Sequence, residues 1–133
     1  MKLFMLDTDT CSYIIREKPA GVFEHFRKLQ INQICISAVT YAELLYGVAR
    51  SSSAKVDRPI IDAFIRHLDV MTWGGAAAGH YGDVRTELEA AGTPIGAMDM
   101  LIAAHARSLH ATLVTNNARR FSRMKGLKTE NWV

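Results

Sequence analysis

The sequence has little of what marks secreted, membrane-spanning or zinc-binding proteins. It contains two cysteines in 133 residues, Cys11 and Cys35, and they lack the CxxC spacing of a metal or redox motif. Isolated thiols are typical of reduced, partly buried cysteines, and no role is assigned to them. No apolar run approaches a membrane span, and Lys2 leads directly into a strand pattern instead of a signal peptide. We therefore expect a cytoplasmic protein with no membrane association.

The motifs of several large enzyme classes are missing as well. The five histidines form no HExxH pair, no serine lies in a GxSxG elbow, and no GxxxxGK[ST] or GxGxxG loop is present. These absences argue against a zinc protease, an α/β-hydrolase, a P-loop NTPase and a dinucleotide-binding enzyme. The histidines are interpreted as surface or core residues.

Length and composition indicate one ordinary globular domain over residues 1–133. Hydrophobic residues make up 49% and charged residues 22% of a chain long enough to bury a core without disulfides. The formal net charge of +3 suits an anionic partner without naming one.

Short apolar runs alternate with helical patterns along the chain. Because these runs are continuously apolar, they are typical of strands buried on both faces of a parallel sheet. We predict an α/β fold, a three-layer α/β/α sandwich with a mostly parallel central sheet of four to five strands. The predicted strands are residues 3–6, 33–36, 70–73 and 112–115. Helices are predicted over residues 8–15, 22–29, 38–49, 60–68, 77–91 and 99–109, and around 121.

The first strand ends at two carboxylates, Asp7 and Asp9. In open α/β sheets ligands bind beyond the carboxyl ends of the strands, and right-handed crossovers would bring Asp7, Ser37 and Thr115 to one edge. Asp7 is therefore a candidate site residue. The alternative is that Asp7 or Asp9 only caps the helix that follows, which Thr8 could also do.

Glu43 is the most informative acid, because it lies almost two turns inside a helix whose other positions are nearly all apolar. We expect that helix to be covered nearly all round, and a glutamate there would lose hydration unless a partner or a function compensates for it. The alternative is a narrow polar stripe of Thr40, Glu43, Gly47 and Arg50, in which Glu43 reaches solvent or pairs with Arg50.

Asp99, which we expect to open the next-to-last helix, could join Asp7 and Glu43 at the strand ends. Two such charges about 4 Å apart repel by roughly 4 kcal/mol at an effective dielectric constant of 20, so a cation or a proton must neutralise the cluster. Hard oxygen ligands favour Mg²⁺ or Mn²⁺, and Mg²⁺ commonly acts on phosphate oxygens. The hypothesis is metal-assisted phosphodiester hydrolysis.

A run of cations without an acid lies near the carboxyl terminus. It is formed by Arg119, Arg120, Arg123, Lys125 and Lys128. Such a run is most often a solvated face, and otherwise a contact surface for phosphates or carboxylates.

Four segments in this order resemble the PIN-domain ribonucleases and, among them, the VapC toxins of bacterial type II toxin–antitoxin modules. They are Leu6-Asp7-Thr8-Asp9, Ser37-Ala38-Val39-Thr40-Tyr41-Ala42-Glu43-Leu44, Gly92-Thr93-Pro94-Ile95-Gly96 with Asp99 and Ile102-Ala103-Ala104-His105-Ala106, and Val114-Thr115-Asn116-Asn117. The similarity extends to the Glu130-Asn131-Trp132 tail, and so covers the chain from end to end.

The resemblance implies an endoribonuclease that depends on Mg²⁺, with Mn²⁺ as a substitute, and that cleaves structured RNA such as tRNA. It implies metal ligation by Asp7, Glu43 and Asp99, with Thr8 and Thr115 holding the carboxylates by hydrogen bonds. It also implies a homodimer and a small VapB-like antitoxin whose tail crosses the site. The side chains expected to contact RNA or antitoxin are Arg119, Arg120, Arg123 and Lys125.

Two positions depart from the family pattern. Asp9 stands where such chains commonly carry Asn, and it either adds a fourth carboxylate or improves a helix cap. Arg120 stands near a position that is often acidic, which argues against a second metal ion. We expect one tightly held ion, with Asn116 or Asn117 ligating it weakly through water.

Two other classes of protein share part of this pattern. A receiver domain of signalling proteins also has an acidic Mg²⁺ pocket, but here Trp73 and Asn116 occupy the places of its phosphoacceptor Asp and its Lys. A non-catalytic RNA-binding protein of the same fold is the other alternative, since a fold does not imply an activity.

Overall fold

Five parallel strands form one sheet at the centre of the protein. The computed structural model describes residues 2–93 and 95–133, and the strand order is β3-β2-β1-β4-β5. The strands are β1 Phe4–Leu6, β2 Ile34–Ser37, β3 Asp69–Met71, β4 Thr112–Val114 and β5 Lys128–Glu130. All neighbouring pairs are parallel, which confirms the predicted α/β class.

Seven helices within the described residues connect the strands. They are α1 Thr8–Arg16, α2 Ala20–Arg27, α3 Ala38–Ala49, α4 Ala54–Ile65, α5 Gly75–Ala90, α6 Ala97–Ser108 and α7 Ala118–Phe121, with a 3-10 turn at Ile31–Gln33. Side chains of β1 alternate between the two faces of the sheet. Phe4 and Leu6 pack with apolar residues of α1 to α4, whereas Met5 packs with residues of α5, α6 and the α7 region. The protein is therefore the predicted three-layer sandwich.

The central position of β1 determines where the candidate site lies. Its register pairs Leu6 with Val114, and the Asp7 amide donates to the Val114 carbonyl at 3.0 Å. β2 lies on the other side of β1 and ends at Ser37. The residues that end β2, follow β1 and follow β4 consequently share one edge of the sheet.

Four helices begin earlier than predicted. α2 begins at Ala20 and α5 at Gly75, each two residues early. α6 begins at Ala97 with Gly96 as its N-cap, so Asp99 lies in the first turn and does not open the helix. α4 begins at Ala54, six residues before Ile60, because the polar serine loop ahead of it is shorter than its composition suggests. Pro94, predicted to help close α5, lies outside the described residues.

The expectation that α3 is covered nearly all round is wrong. Thr40 and Leu44 are buried, but Ala42 is exposed and the Tyr46 side chain is 65% exposed. Hydrophobic composition alone does not distinguish a buried helix from one that shows an apolar face on the surface. Within the described residues, no helix has the length and apolar character that crossing a bilayer requires.

The fifth strand lies in a tail whose composition gives no strand signal. β5 pairs with β4, and Trp132 just beyond it is 4% exposed. The Trp132 ring lies 5.6 Å from the Phe4 ring and stacks on His25 at 5.2 Å between centroids. This tail therefore closes one edge of the core.

We expect Trp132→Ala to lower the free energy of unfolding by about 3–5 kcal/mol, as aromatic-to-alanine changes in cores do. The neighbouring Val133 is exposed, so Val133→Ala should stay within about 0.5 kcal/mol of the parent protein. Urea titrations of the three proteins measure both changes. Equal midpoints for Trp132→Ala and Val133→Ala would contradict a structural role for the tail.

Candidate active site

Asp7 is both a helix cap and a member of the site edge. It caps α1 through a hydrogen bond from the Thr10 amide to its Oδ1, at 2.9 Å, and it is only 6% exposed. The cap is thus Asp7, and neither Thr8 nor Asp9. Burial raises the pKa of the Asp7 carboxyl, although hydrogen bonds from Thr115 and Thr10 partly oppose that rise. Ionisation of Asp7 therefore costs more free energy in the folded protein than in water.

Glu43 is turned toward the same edge of the sheet. The Thr8 hydroxyl donates a hydrogen bond to Glu43 Oε1, which joins α3 to the start of α1. The alternative pairing with Arg50 is not observed among the described residues, since the Arg50 guanidinium instead lies 5.3 Å from the centre of the Tyr46 ring. Glu43 thus faces the end of β1.

The pKa of the Asp99 carboxyl depends in part on the charges of Asp7 and Glu43. Burial, followed by the negative charges of Asp7 and Glu43, raises the pKa of the Asp99 carboxyl. Arg120 lowers it, with Nη1 lying 3.9 Å from Asp99 Oδ2. Asp99 is 37% exposed, so this arginine contact is loose and solvated. The charges of Asp7, which follows β1, and of Glu43 in α3 therefore act on Asp99 in α6.

Asp9 and Cys11 belong to the same region of negative charge and raised pKa values. The charge of Asp9 contributes to the raised pKa of both Asp7 and Asp99, so the position that departs from the family pattern adds a fourth negative charge. The buried Cys11 thiol has a pKa well above its ordinary value, first because of burial and then because of the charges of Asp7 and Glu43. A thiol in this state is protonated and unreactive.

The polar residues after β4 differ in what they contact. The Asn117 amide donates to the Thr115 hydroxyl oxygen at 3.0 Å, and that hydroxyl in turn bonds to Asp7. The Asn116 side-chain nitrogen donates to the Tyr13 hydroxyl at 2.8 Å, while its buried oxygen has no partner in the described part of the chain. Thr115 therefore supports a carboxylate, and Asn116 is turned toward α1.

The donor set suits a hard divalent cation, because carboxylate oxygens are available and mutual repulsion makes a positive ion favourable. Across residues 2–93 and 95–133, however, no three His, Cys, Asp or Glu side chains form a ready ligand set. Glu43 is engaged by Thr8, and Arg120 lies beside Asp99. The chemistry of the residues fits such an ion, and small side-chain rotations would have to complete its ligation.

A basic cavity of about 730 Å³ lies next to Asp99. Arg119, Arg120 and Arg123 line it together with Thr93 and Gly96. Lys125 does not line this cavity, although its carbonyl accepts a hydrogen bond from Arg107 at 3.0 Å. Three of the four predicted contact residues therefore face one space beside the acids.

A groove leaves the acids on another side. Its first part, about 700 Å³, runs between α1, α3 and α4 from Asp9 and Glu43, and its second part, about 530 Å³, continues between α1, α2 and α4. Ile15 and Ile60 line both parts, so the groove is continuous. An elongated, mainly apolar groove of this kind suits a polypeptide segment.

Sequence reasoning assigned no function to three residues of this region: Tyr13, Ser37 and His105. Tyr13 is the partner of Asn116, and Ser37 and His105 form a buried hydrogen bond. A signal for His105 was present, because a histidine within the apolar stretch of α6 requires a polar partner when buried.

Residues 4–127 match the family model of the PIN domain. The chain is 45% identical over 132 residues to the tRNA(fMet)-specific endonuclease VapC of Shigella flexneri, with 99% of both chains covered. Among solved structures, VapBC2 from Rickettsia felis bound to a promoter DNA fragment has a TM-score of 0.92. It is 39% identical, over 98% of this chain and 99% of that one.

DNA-bound VapBC from Salmonella typhimurium also has a TM-score of 0.92, with 41% identity and complete coverage of both chains. These matches exclude the receiver-domain alternative and agree with the resemblance drawn from the four segments. Ribonucleases with a PIN domain generally depend on divalent metal ions. The chain belongs to the PIN-domain family and, within it, to the VapC ribonucleases.

Proposed function

We propose that this protein is the toxin of a toxin–antitoxin module and hydrolyses phosphodiester bonds in structured RNA of the cytoplasm, with tRNA as the substrate class. The Shigella relative is named for a tRNA, which supports that class. The observation that carries the proposal is the hydrogen bond from the Thr8 hydroxyl to Glu43, because it brings Glu43 of α3 to the end of β1, where Asp7 lies.

Asp7, Glu43 and Asp99 would hold one Mg²⁺ ion, with Mn²⁺ as a substitute. Only oxygen donors are available, which favours these ions over zinc. When bound, such an ion offsets charge on the scissile phosphate and makes water a better nucleophile. Arg120 supplies a fixed positive charge beside Asp99, which supports a single ion over a pair.

The Thr8 and Thr115 hydroxyls would orient the carboxylates of Glu43 and Asp7 and favour their ionised forms. The Thr8 hydroxyl donates to Glu43 Oε1, and the Thr115 hydroxyl opposes the rise in the pKa of Asp7 that burial causes. A hydrogen bond to the charged form of an acid favours that form. Both threonines would thereby leave negative oxygen atoms at the edge of the sheet, where a cation and a phosphate can meet.

The basic cavity beside Asp99 would bind phosphates of the RNA strand. Arginine guanidinium groups bind phosphate oxygens in a bidentate way, and such contacts position a nucleic acid without reading its sequence. Arg119, Arg120 and Arg123 offer this chemistry next to the acids. The RNA would then run from this cavity across Asp7 and Glu43.

The continuous groove would hold a VapB-like antitoxin, whose tail would reach Asp9 and Glu43 with a basic side chain. Ile15 and Ile60 offer the apolar contacts, and the acids at one end offer a charged anchor. The Rickettsia and Salmonella structures are VapBC complexes, which supports a partner of this kind. A homodimer of the toxin is expected as well.

Asp7→Asn and Glu43→Gln should each lower the rate of RNA cleavage in Mg²⁺ by more than about 10²-fold. Mutation of even an outer-shell partner of a metal site lowers metal affinity or activity about 10–100-fold, and a direct ligand should matter more. Asp83→Asn, at an exposed position of α5, should cleave as the parent protein does. The measurement is cleavage of total tRNA beside a DNA of matching sequence, since the 2′-OH distinguishes the two substrates. A parent protein that binds RNA and leaves it intact would contradict catalysis.

Asp7→Asn should also raise the free energy of unfolding at pH 7 without divalent ions. Burial raises the pKa of Asp7 in the folded state, so the stability that its neutral form contributes is lost as the pH rises through that pKa. Asparagine stays neutral and still caps α1. Below the ordinary pKa of 3.8 the two proteins should converge, because Asp7 is then protonated in both states.

Mg²⁺ should reverse this difference. A ligand at 100 times its dissociation constant stabilises a protein by about 2.7 kcal/mol, and only the parent protein should gain this amount. Thermal unfolding with and without Mg²⁺ measures the effect. Equal gains for the parent protein and Asp7→Asn would show that the ion binds elsewhere.

Arg119→Gln and Arg123→Gln should weaken RNA binding and reduce its salt dependence. Each lost phosphate contact lowers the slope of log affinity against log salt by roughly 0.7–0.9. Arg66→Gln is the matched control, since Arg66 is exposed and lies just ahead of the amino end of β3. Unchanged slopes for the two cavity variants would show that the RNA does not bind in this cavity.

A further inference from the structure

Ser37 and His105 form a polar pair in the interior of the protein. Ser37 is 0% exposed and His105 is 2% exposed, and Ser37 Oγ lies 2.8 Å from His105 Nδ1. Ser37 ends β2 and is the N-cap of α3, whereas His105 lies in the second half of α6. Buried polar groups away from water are retained only with partners, and these two residues supply one another.

The partners of Ser37 leave it able to donate to His105. Ser37 Oγ accepts from the Val39 amide at 3.1 Å, which leaves its own hydrogen free. Burial lowers the pKa of the His105 imidazole, which favours the neutral ring. A neutral ring that carries its proton on Nε2 accepts through Nδ1, and in that tautomer the serine hydroxyl donates to His105.

The pair connects the two helices that carry Glu43 and Asp99. Glu43 lies six residues after Ser37, and Asp99 lies six residues before His105. Between α3 with its N-cap and α6, no other side-chain hydrogen bond occurs in the described ranges, 2–93 and 95–133. Apolar packing of small residues, such as Ala103 and Ala104, tolerates sliding, but a hydrogen bond in a dry interior does not.

We propose that Ser37 and His105 are positioning residues, which fix the helix of Glu43 against the helix of Asp99 and so set the separation of two acids that repel one another. The inference rests on the proposed function, because it takes Glu43 and Asp99 as partners in one nuclease site. Neither Ser37 nor His105 touches the substrate. Their effect is transmitted through the first turn of α3 and the body of α6.

The test compares His105→Leu, His105→Asn and Ser37→Ala with the parent protein. His105→Leu keeps a similar volume but leaves the Ser37 hydroxyl without an acceptor. The amide oxygen of His105→Asn can accept in place of Nδ1, so this variant is the conservative control. The readouts are the single-turnover cleavage rate, the RNA concentration at half-maximal rate, the Mn²⁺ dissociation constant from electron paramagnetic resonance, and the melting temperature.

His105→Leu and Ser37→Ala should each slow cleavage and weaken Mn²⁺ binding by about 10–100-fold, as loss of supporting partners does at metal sites. The half-saturating RNA concentration should change less than about threefold, because displacement of acids by roughly 1 Å affects the reacting geometry and not the RNA contacts. His105→Asn should recover most of both losses. The double variant should cleave no more slowly than the slower of the two single variants, since the two residues act through one bond.

The inference is overturned if Ser37→Ala and His105→Leu show a cooperative thermal unfolding transition, and so are folded, yet cleave RNA and bind Mn²⁺ as the parent protein does. It is also overturned if His105→Asn is as impaired as His105→Leu, because shape and not the hydrogen bond would then matter. If His105→Leu does not fold, Ser37→Ala and His105→Asn decide the question alone. A parent protein that neither binds Mn²⁺ nor cleaves RNA would instead refute the proposed function.

Discussion

Repulsion between carboxylates at the carboxyl edge of the sheet is the constraint around which this structure is arranged. Asp7 caps α1 directly after β1, Glu43 lies in α3 and Asp99 lies in α6, so the three acids come from separate parts of the chain. The raised pKa values of Asp7 and Asp99 show that burial and neighbouring charge make ionisation costly there. In the proposed function a bound cation would offset this cost.

Hydrogen bonds from neutral groups, and not buried ion pairs, hold these acids in place. Thr8 holds Glu43, while Thr10 and Thr115 hold Asp7. Arg120 approaches Asp99 only loosely at 3.9 Å and is itself largely exposed. Neutral partners orient a carboxylate without cancelling its charge, so negative charge remains for a metal ion. The surrounding cations lie farther out, where a phosphate chain would need them.

The fold class was predictable from the sequence, and each of the three candidate acids leaves a local signal there. A continuous apolar run that ends in Asp7 predicts a buried strand, and a lone acid inside an apolar helix singles out Glu43. Asp99 gave a weaker signal, and its helix begins two residues earlier than expected because Gly96 provides the cap. The strand order could not be predicted, since it depends on which runs become neighbours.

Contacts between distant parts of the chain account for what sequence reasoning missed. β5 has a polar composition and becomes a strand because β4 offers a free edge and Trp132 fills the core beside Phe4. The bond between Ser37 and His105 spans 68 residues, and no local pattern reveals such a partner. The exposed face of α3 was missed for the same reason, because burial depends on the elements that pack against a helix.

The most direct measurement is anomalous scattering from crystals of the protein grown with Mn²⁺. One manganese peak is expected at the carboxyl edge of the sheet, with oxygen ligands from Asp7, Glu43 and Asp99. A peak at another place, or no peak while Glu43 remains bonded to Thr8 alone, would contradict the convergence of the three acids on one ion.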